Sequence, residues 1–246
     1  MTEPKLEPLP DGVLEALRQV STSTVATQLY KRGFRQPQLL GVRALSEVAD
    51  GFVGEAFTMR FIPMREDVDT LDPYRSGNTL QWEALKSVPP GHVLVVDSYG
   101  NANAASGGDM LMTRAWKRGA AAVVTDGGLR DGHVLAKLPF PTYARTVTIT
   151  MRAAAHHVAD LQVPIGCAGV AIYPGDVLMG DRDGVLVIPR ALAAEIAEQG
   201  LEQEKLEAFV SKKIHAGEPL EGNYPPGEGV KAEYKAFLES AEESKK

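Results

Sequence analysis

The chain has 246 residues, is 44% hydrophobic and carries 26 Lys and Arg against 32 Asp and Glu, a formal net charge of −6. That length holds one large or two small domains with a real core, and an acidic balance without a long basic run excludes a nucleic-acid footprint. A single cysteine, Cys167, excludes an intrachain disulfide and a cysteine-based zinc cluster, so a reducing compartment, the cytoplasm, is expected.

The opening stretch MTEPKLEPLPDG is polar and proline-bearing. Nowhere do about 18 apolar residues run together, so neither a signal peptide nor a membrane span is expected. DGVLEALRQV sets Val13, Leu14, Leu17 and Val20 at helical spacing. STSTVATQLYKRG adds Ser and Thr caps, a second short helix and a glycine stop. FVGEAFTMRFI alternates and is rich in β-formers, whereas HVLVVDSYG and AAAVVTDGG are short apolar runs closed by turn residues, the pattern of buried strands. Between those two runs, GGDMLMTRAWKRG reads as a helix starting at a glycine-rich turn. Strand, glycine loop, helix, strand and second glycine loop make a βαβ unit. The fold class is therefore α/β with a largely parallel layer, and functional residues belong at the carboxyl ends of its strands.

Further on, YARTVTITM reads as a strand, and AIYPGDVLMGDRDGVLVIPR as a β meander with Pro-Gly-Asp and Asp-Gly at its turns. ALAAEIAEQGLEQEKLEAFVSKKI is helical, with Leu192, Ile196, Leu206 and Phe209 among acids and lysines. The chain then passes through a Pro- and Gly-rich linker to a short amphipathic helix and a charged end. No fixed-period repeat is present, which excludes a solenoid.

The chemistry-bearing pair is Arg130-Asp131, which follows the second buried strand and Gly127-Gly128. A guanidinium grips a carboxylate with two parallel hydrogen bonds, and an Asp oxygen is a hard ligand for Mg²⁺ or its waters. Neighbours on a regular strand point to opposite faces, so both reach one pocket only where the strand gives way to a loop, which the two glycines allow. The other reading is a solvated Arg-Asp turn. Gly107 and Gly108 open the preceding helix, where the backbone of Gly108, Asp109, Met110 and Leu111 and the helix dipole make an anion site. The other reading there is ordinary capping, with Asp109 satisfying the first turn. The βαβ return brings both loops to one edge of the sheet, so amides and guanidinium can close on one carboxylate.

The remaining polar residues carry less. Asp97 ends a strand near this pocket and, with Asp176, Asp181 and Asp183, reads as a local backbone anchor. His156-His157, in a helix or loop, lacks a third ligand at recognisable spacing, and Cys167 in PIGCAGVAI reads as buried packing. Arg65, Glu66, Asp67, Asp69 and Asp72, in the insertion-like PMREDVDTLDPYRSGNTLQWE, read as solvated charge, as do Glu202, Glu204 and Glu207.

GDML followed by RGAAAVVTDGGLRD resembles the signature of the RraA-like family, which includes class II 4-hydroxy-4-methyl-2-oxoglutarate/4-carboxy-4-hydroxy-2-oxoadipate aldolases and RNase E regulators. The resemblance runs through STSTVATQLYKRG, VGEAFTMRF, PPGHVLVVD, LPFPTYAR and YPGDVLMGDRDGVLVIP, roughly residues 20 to 195. It implies a compact β/β/α layered fold like that of swivelling domains over residues 1–200. Residues 201–246 would be a helical extension packed on that domain or on a neighbouring subunit of a homotrimer or homohexamer. It also implies that Gly108, Asp109, Met110, Leu111 and Arg130 bind a small 2-oxo acid. Asp131 would hold a divalent metal, Mg²⁺ or Mn²⁺, and Arg130 and Asp131 would form the catalytic pair. The implied activity is a pyruvate-forming carbon–carbon lyase: aldol cleavage of 4-hydroxy-2-oxo acids, with oxaloacetate decarboxylation beside it. Two alternatives stay open, a non-catalytic protein-binding regulator and a hydratase or dehydratase of sugar-derived oxo acids. Residues 64–83 and the tail are additions to shorter relatives, which leaves the substrate as the widest question.

Overall fold

Strands whose apolar residues run without alternation must be covered on both faces, and in the computed structural model the central strands are. The structure describes residues 7–70, 72, 76, 77 and 79–243. The first half of the polar opening stretch, part of the 64–83 insertion and the last charged residues lie outside the described residues.

The chain opens with helices α1 (Val13–Leu17) and α2 (Thr22–Lys31); the Ser21 side chain caps α2 by accepting the Thr24 N–H at 3.1 Å. Strands β1 (Arg43–Ala44) and β2 (Phe52–Pro63), helix α3 (Leu80–Ser87), strand β3 (His92–Asp97), helix α4 (Asp109–Lys117) and strand β4 (Ala122–Thr125) follow. Next come β5 (Gly128–Leu129), α5 (Gly132–Leu135), β6 (Thr142–Ala144), β7 (Thr146–Val147) and β8 (His156–Leu161). Strands β9 (Ile165–Cys167), β10 (Val170–Ile172), β11 (Val177–Gly180) and β12 (Val185–Ile188) lead to helices α6 (Ala193–His215) and α7 (Glu228–Glu243).

The main sheet has the order β1-β6-β4-β3-β2-β11-β12, with β2, β3, β4 and β6 mutually parallel. Strand β2 serves two antiparallel partners, β11 along residues 52–55 and β8 along residues 59–63, with a register shift between Arg60 and Phe61. One short segment nearly closes the sheet into a barrel. Gln38 bridges Leu186 on β12, the Leu39 N–H donates to the Val185 carbonyl at 2.9 Å, and β1, a few residues on, pairs with β6.

The two-residue period sorts the strands' side chains into separate packing groups. Val93, Val95, Val124, Val185 and Val187 pack together around Tyr143, while Leu94, Val96 and Val123 pack on the other face with Leu85 of α3 and Met112 of α4. Met179, Leu186 and Ile188 pack under α1, α2 and α6 through Leu17, Leu29 and Ile196. Each such buried aliphatic side chain contributes about 1.5 to 3 kcal/mol relative to exposure. Strand β3, buried on both faces, therefore makes a firm base for the loops at its carboxyl end.

The α/β class and the βαβ unit β3–α4–β4 stand as the sequence predicts. Four expectations need correction. AIYPGDVLMGDRDGVLVIPR is not one meander: β11 and β12 form an antiparallel hairpin, but β10 pairs with β9 in a separate two-stranded sheet. YARTVTITM is not one strand: the Arg145 N–H donates to the Gly127 carbonyl at 3.0 Å, and β7 leaves the main sheet to pair with β5. His156-His157 begins β8 rather than sitting in a helix or loop, and His156 is fully buried against the rings of Phe61 and Tyr99. Glu204 is not merely solvated; it accepts the Ser21 N–H at 2.9 Å and so ties α6 to the start of α2. Helix α6 crosses residue 200 without a break, and α7 lies along it through Phe209, whose ring meets those of Tyr234 and Phe237 at 5.4 and 5.3 Å. Among the described residues no helix is long and apolar enough to cross a membrane.

Candidate active site

The site is built where β3 and β4 end side by side. Hydroxyls of Ser98, Ser106 and Thr125 form a buried triangle with edges of 2.7, 3.0 and 3.1 Å. Backbone bonds then lace the two glycine loops together: the Ser106 N–H donates to the Gly128 carbonyl at 2.7 Å and the Arg130 N–H to the Gly107 carbonyl at 2.9 Å. The glycines matter here for space rather than for backbone freedom. A Cβ on Gly127 would lie 2.6 Å from the Ser98 Oγ and 2.7 Å from the Ser106 Oγ, and one on Gly128 would lie 2.6 Å from the Thr148 Cγ2. The turn itself is made by Asp131, in the left-handed region at φ 61° and ψ 38°, a conformation that Asp tolerates better than most residues.

That turn places Asp131 at the start of α4. Gly108 is the N-cap and offers no side chain; the Asp131 Oδ2 instead accepts the Asp109 N–H at 3.3 Å. Asp109 does not cap the helix beyond its neighbour, accepting the Met110 N–H at 2.7 Å. A Cβ on Gly108 would stand 2.6 Å from the Asp131 Oδ2 and 3.5 Å from the Arg130 Cβ, so the two loops touch at this point. Gly108, Asp109, Met110, Leu111, Arg130 and Asp131 all line one cavity of about 290 Å³. Of the two readings of the Arg-Asp pair, the pocket wall is the one realised.

Among the lining residues that sequence reasoning missed are Gln81, Trp82 and Arg152. Gln81 is buried and donates its side-chain N–H to the Ser106 carbonyl at 2.6 Å, which bolts the first turn of α3 to the glycine loop. Arg152, also buried, donates to the His156 carbonyl at 2.6 Å. Neither lies in a motif, and only the packing of α3 and of the turn before β8 brings them here.

The carboxylates around the site divide by environment. Asp97 and Asp126 end or follow the two strands and accept backbone N–H groups, Asp97 from Tyr99 and Gly166, Asp126 from Ser98, Gly100 and Ala168. Burial, seconded by the neighbouring Asp97 charge, pushes the Asp126 carboxyl above its ordinary value despite those donors. Cys167, fully buried beside both acids, is pushed up well above the ordinary thiol range by burial first and their charges second, which suits packing rather than nucleophilic chemistry.

A second cavity of about 340 Å³ lies on the other side of Arg152. In it the Asp69 carboxylate meets the His157 Nδ1 at 2.7 Å and accepts the Arg65 N–H at 3.0 Å, so this one acid of the 64–83 insertion is a tether and not solvated charge. Burial alone would raise its pKa, but the Arg65 N–H, the His157 ring and the Arg152 charge outweigh it and hold the carboxyl below 3.8. A depressed carboxyl contributes stability that is fully present above the unfolded value and lost as the pH falls through the folded one. Asp69→Asn should therefore lower Tm by roughly 2 °C at neutral pH. The gap should close as the pH falls below 3.8, which thermal melts of both proteins between pH 3 and 7 would read.

The fold and site together define an α/β protein with a cavity lined by Arg130, Asp131 and the start of α4 at the carboxyl edge of its parallel strands. Residues 22–187 match the model of the RraA-like family, described as Aldolase/RraA, and the chain belongs to that family. It is 32% identical over 166 residues, 65% of this chain and 78% of the other, to a Halalkalibacterium halodurans protein provisionally named a 4-hydroxy-4-methyl-2-oxoglutarate aldolase. A Thermus thermophilus protein named 4-hydroxy-4-methyl-2-oxoglutarate aldolase is 34% identical over 112 residues, 46% of this chain and 68% of that one. Among solved structures, Streptomyces coelicolor RraAS2, described as an unusual member of the RNase ES inhibitor RraA family, superposes with a TM-score of 0.75 at 31% identity. That superposition covers 84% of this chain and all, 100%, of the other.

Proposed function

We propose that the protein is a divalent-metal-dependent lyase that releases pyruvate from 4-hydroxy-2-oxo dicarboxylic acids, with oxaloacetate decarboxylation as a side activity. The observation that carries the reading is the convergence of the α4 N-terminus, Arg130 and Asp131 on one cavity. A guanidinium fork and the positive end of a helix dipole are two protein devices that favour a bound carboxylate. Arg152, a second cation in the same wall, suits a substrate with a second carboxylate.

The donor set fits a hard cation held largely by water and substrate. Asp131 and Asp109 are the two carboxylates among the described lining residues, and no group of three His, Cys, Asp or Glu residues able to hold a metal occurs among the described residues. Mg²⁺ is commonly bound through one or two carboxylates and keeps several waters. When bound, the cation supplies Lewis-acid stabilisation of the negative charge that develops on the 2-oxo oxygen. The chain's own part is to hold the 2-oxo acid in register: Arg130 and the positive end of the α4 dipole face its carboxylate end and favour the developing charge, whereas the N–H groups of Asp109, Met110 and Leu111, expected from the sequence to bind it, already donate to Asp131, Asp109 and Gly108. The proton of the 4-hydroxyl group would pass to a water held by the cation or by a lining carboxylate. Decarboxylation of oxaloacetate needs no such acceptor.

The test is pyruvate release from 4-hydroxy-4-methyl-2-oxoglutarate and from oxaloacetate, with Mg²⁺ and with EDTA, on the wild type and on Asp131→Ala. EDTA and the substitution should each cut release by about a hundredfold or more. No release above the metal-only blank from either compound would overturn the lyase reading. The similarity to RraAS2 would then favour the second reading, a protein-binding regulator, which capture of an RNase E-type nuclease would test.

A further inference from the structure

We propose that Trp82 is a specificity-determining residue whose indole receives an apolar substituent on C4 of the 2-oxo acid. The inference deepens the lyase reading and rests on it for the identity of the ligand.

Three observations carry it. First, the pocket wall is of mixed chemistry: Asp109, Arg130, Asp131 and Arg152 bring charge, whereas Trp82, Met110 and Met151 supply apolar surface. Second, the indole stands at the pocket and not in the core. Trp82 keeps 41% of its surface exposed, while Ala84 and Leu85 on the same helix are buried, and a large ring left exposed beside a cavity is surface available to a ligand. Third, the ring is held in place. Gln81 fixes the helix turn to the Ser106 carbonyl at 2.6 Å, and the indole lies against Gly77, where a Cβ would stand 3.5 Å from ring atoms. Gly77 adopts φ +67°, so the backbone turns under the ring in a conformation that side chains rarely accept.

A wall with this composition discriminates by transfer of apolar surface. A methyl group on C4 of the substrate would leave water for the indole, whereas a 4-carboxymethyl group would have to shed hydration against it. A single methyl in such a pocket is worth roughly a tenfold preference. The charged groups, which would grip the 2-oxo acid itself, meet a feature common to all candidate substrates and contribute no discrimination.

The experiment measures both binding and turnover on the full-length protein. Dissociation constants for 2-oxoglutarate and 4-methyl-2-oxoglutarate, and kcat/KM for 4-hydroxy-2-oxoglutarate, its 4-methyl and 4-carboxymethyl derivatives and oxaloacetate, would be compared for the wild type, Trp82→Phe and Trp82→Ala. The wild type should prefer the 4-methyl compounds by roughly tenfold. Trp82→Phe should keep most of that preference, and Trp82→Ala should erase it, with a loss on the 4-methyl compounds roughly tenfold greater than its loss on oxaloacetate. A preference that survives Trp82→Ala, or an equal loss on all substrates including oxaloacetate, overturns the assignment; the second pattern would mark a positioning role. If the wild type binds the methyl compound preferentially but releases no pyruvate from anything, the lyase reading fails while the role of Trp82 in selection stands.

Discussion

Replacing Arg130 by alanine is expected to lower kcat/KM for pyruvate release by about a thousandfold, and replacing it by lysine by about a hundredfold. The two losses differ because the guanidinium is a planar fork able to hold a carboxylate through two parallel bonds, whereas an ammonium is a point charge that must choose one geometry. Neither change should unfold the protein: the local structure is held by the Arg130 backbone N–H on the Gly107 carbonyl and by the Asp131 carboxylate on the Asp109 N–H, not by the guanidinium. Far-UV circular dichroism and Tm should therefore match the wild type. A loss below tenfold in both variants would remove Arg130 from the substrate's grip and, with it, the reason for placing the reaction in this cavity.

Gly127→Ala should damage both fold and site. The added methyl would sit 2.6 to 2.7 Å from the Ser98 Oγ, Ser106 Oγ and Ser98 Cβ, closer than real carbon contacts allow. The Ser98 Cβ, unlike a hydroxyl, cannot rotate away, and the triangle of Ser98, Ser106 and Thr125 has no slack at full burial. Overpacking of this kind costs about 3 kcal/mol, a Tm fall of roughly 6 to 12 °C at this chain length. The second mutation Ser98→Gly, which removes both offending Ser98 atoms, should recover part of the loss. A double mutant no more stable than the single would show that the methyl is not the cause.

Much of the candidate site is legible in the chain because its parts are local. Gly107 to Leu111 and Gly127 to Asp131 flank one helix and one strand, and the right-handed βαβ return leaves such loops little choice but to meet at the same sheet edge. What local pattern misjudges is the cause. Gly127 and Gly128 look like hinges that free Arg130 and Asp131 from strand alternation, yet they serve as empty space, and the left-handed turn falls on Asp131 itself. Clearance is a property of what packs against a residue, and Ser98 lies far from Gly127 in the chain.

The sequence by itself determined the α/β class, the buried parallel strands, the helix between the glycine loops and six of the residues that line the pocket. It could do so because hydrophobic periodicity and turn chemistry act within a dozen or so residues. Tertiary structure alone decided the rest: the closure of the sheet by residues 38–44, the departure of β7 to pair with β5, the Asp69–His157 tether, and the arrival of Gln81, Trp82 and Arg152 at the cavity. Those features depend on which segments pack against one another across the chain. A side chain far away in sequence reaches the site only once burial of the α3 and β8 faces has fixed where its backbone lies.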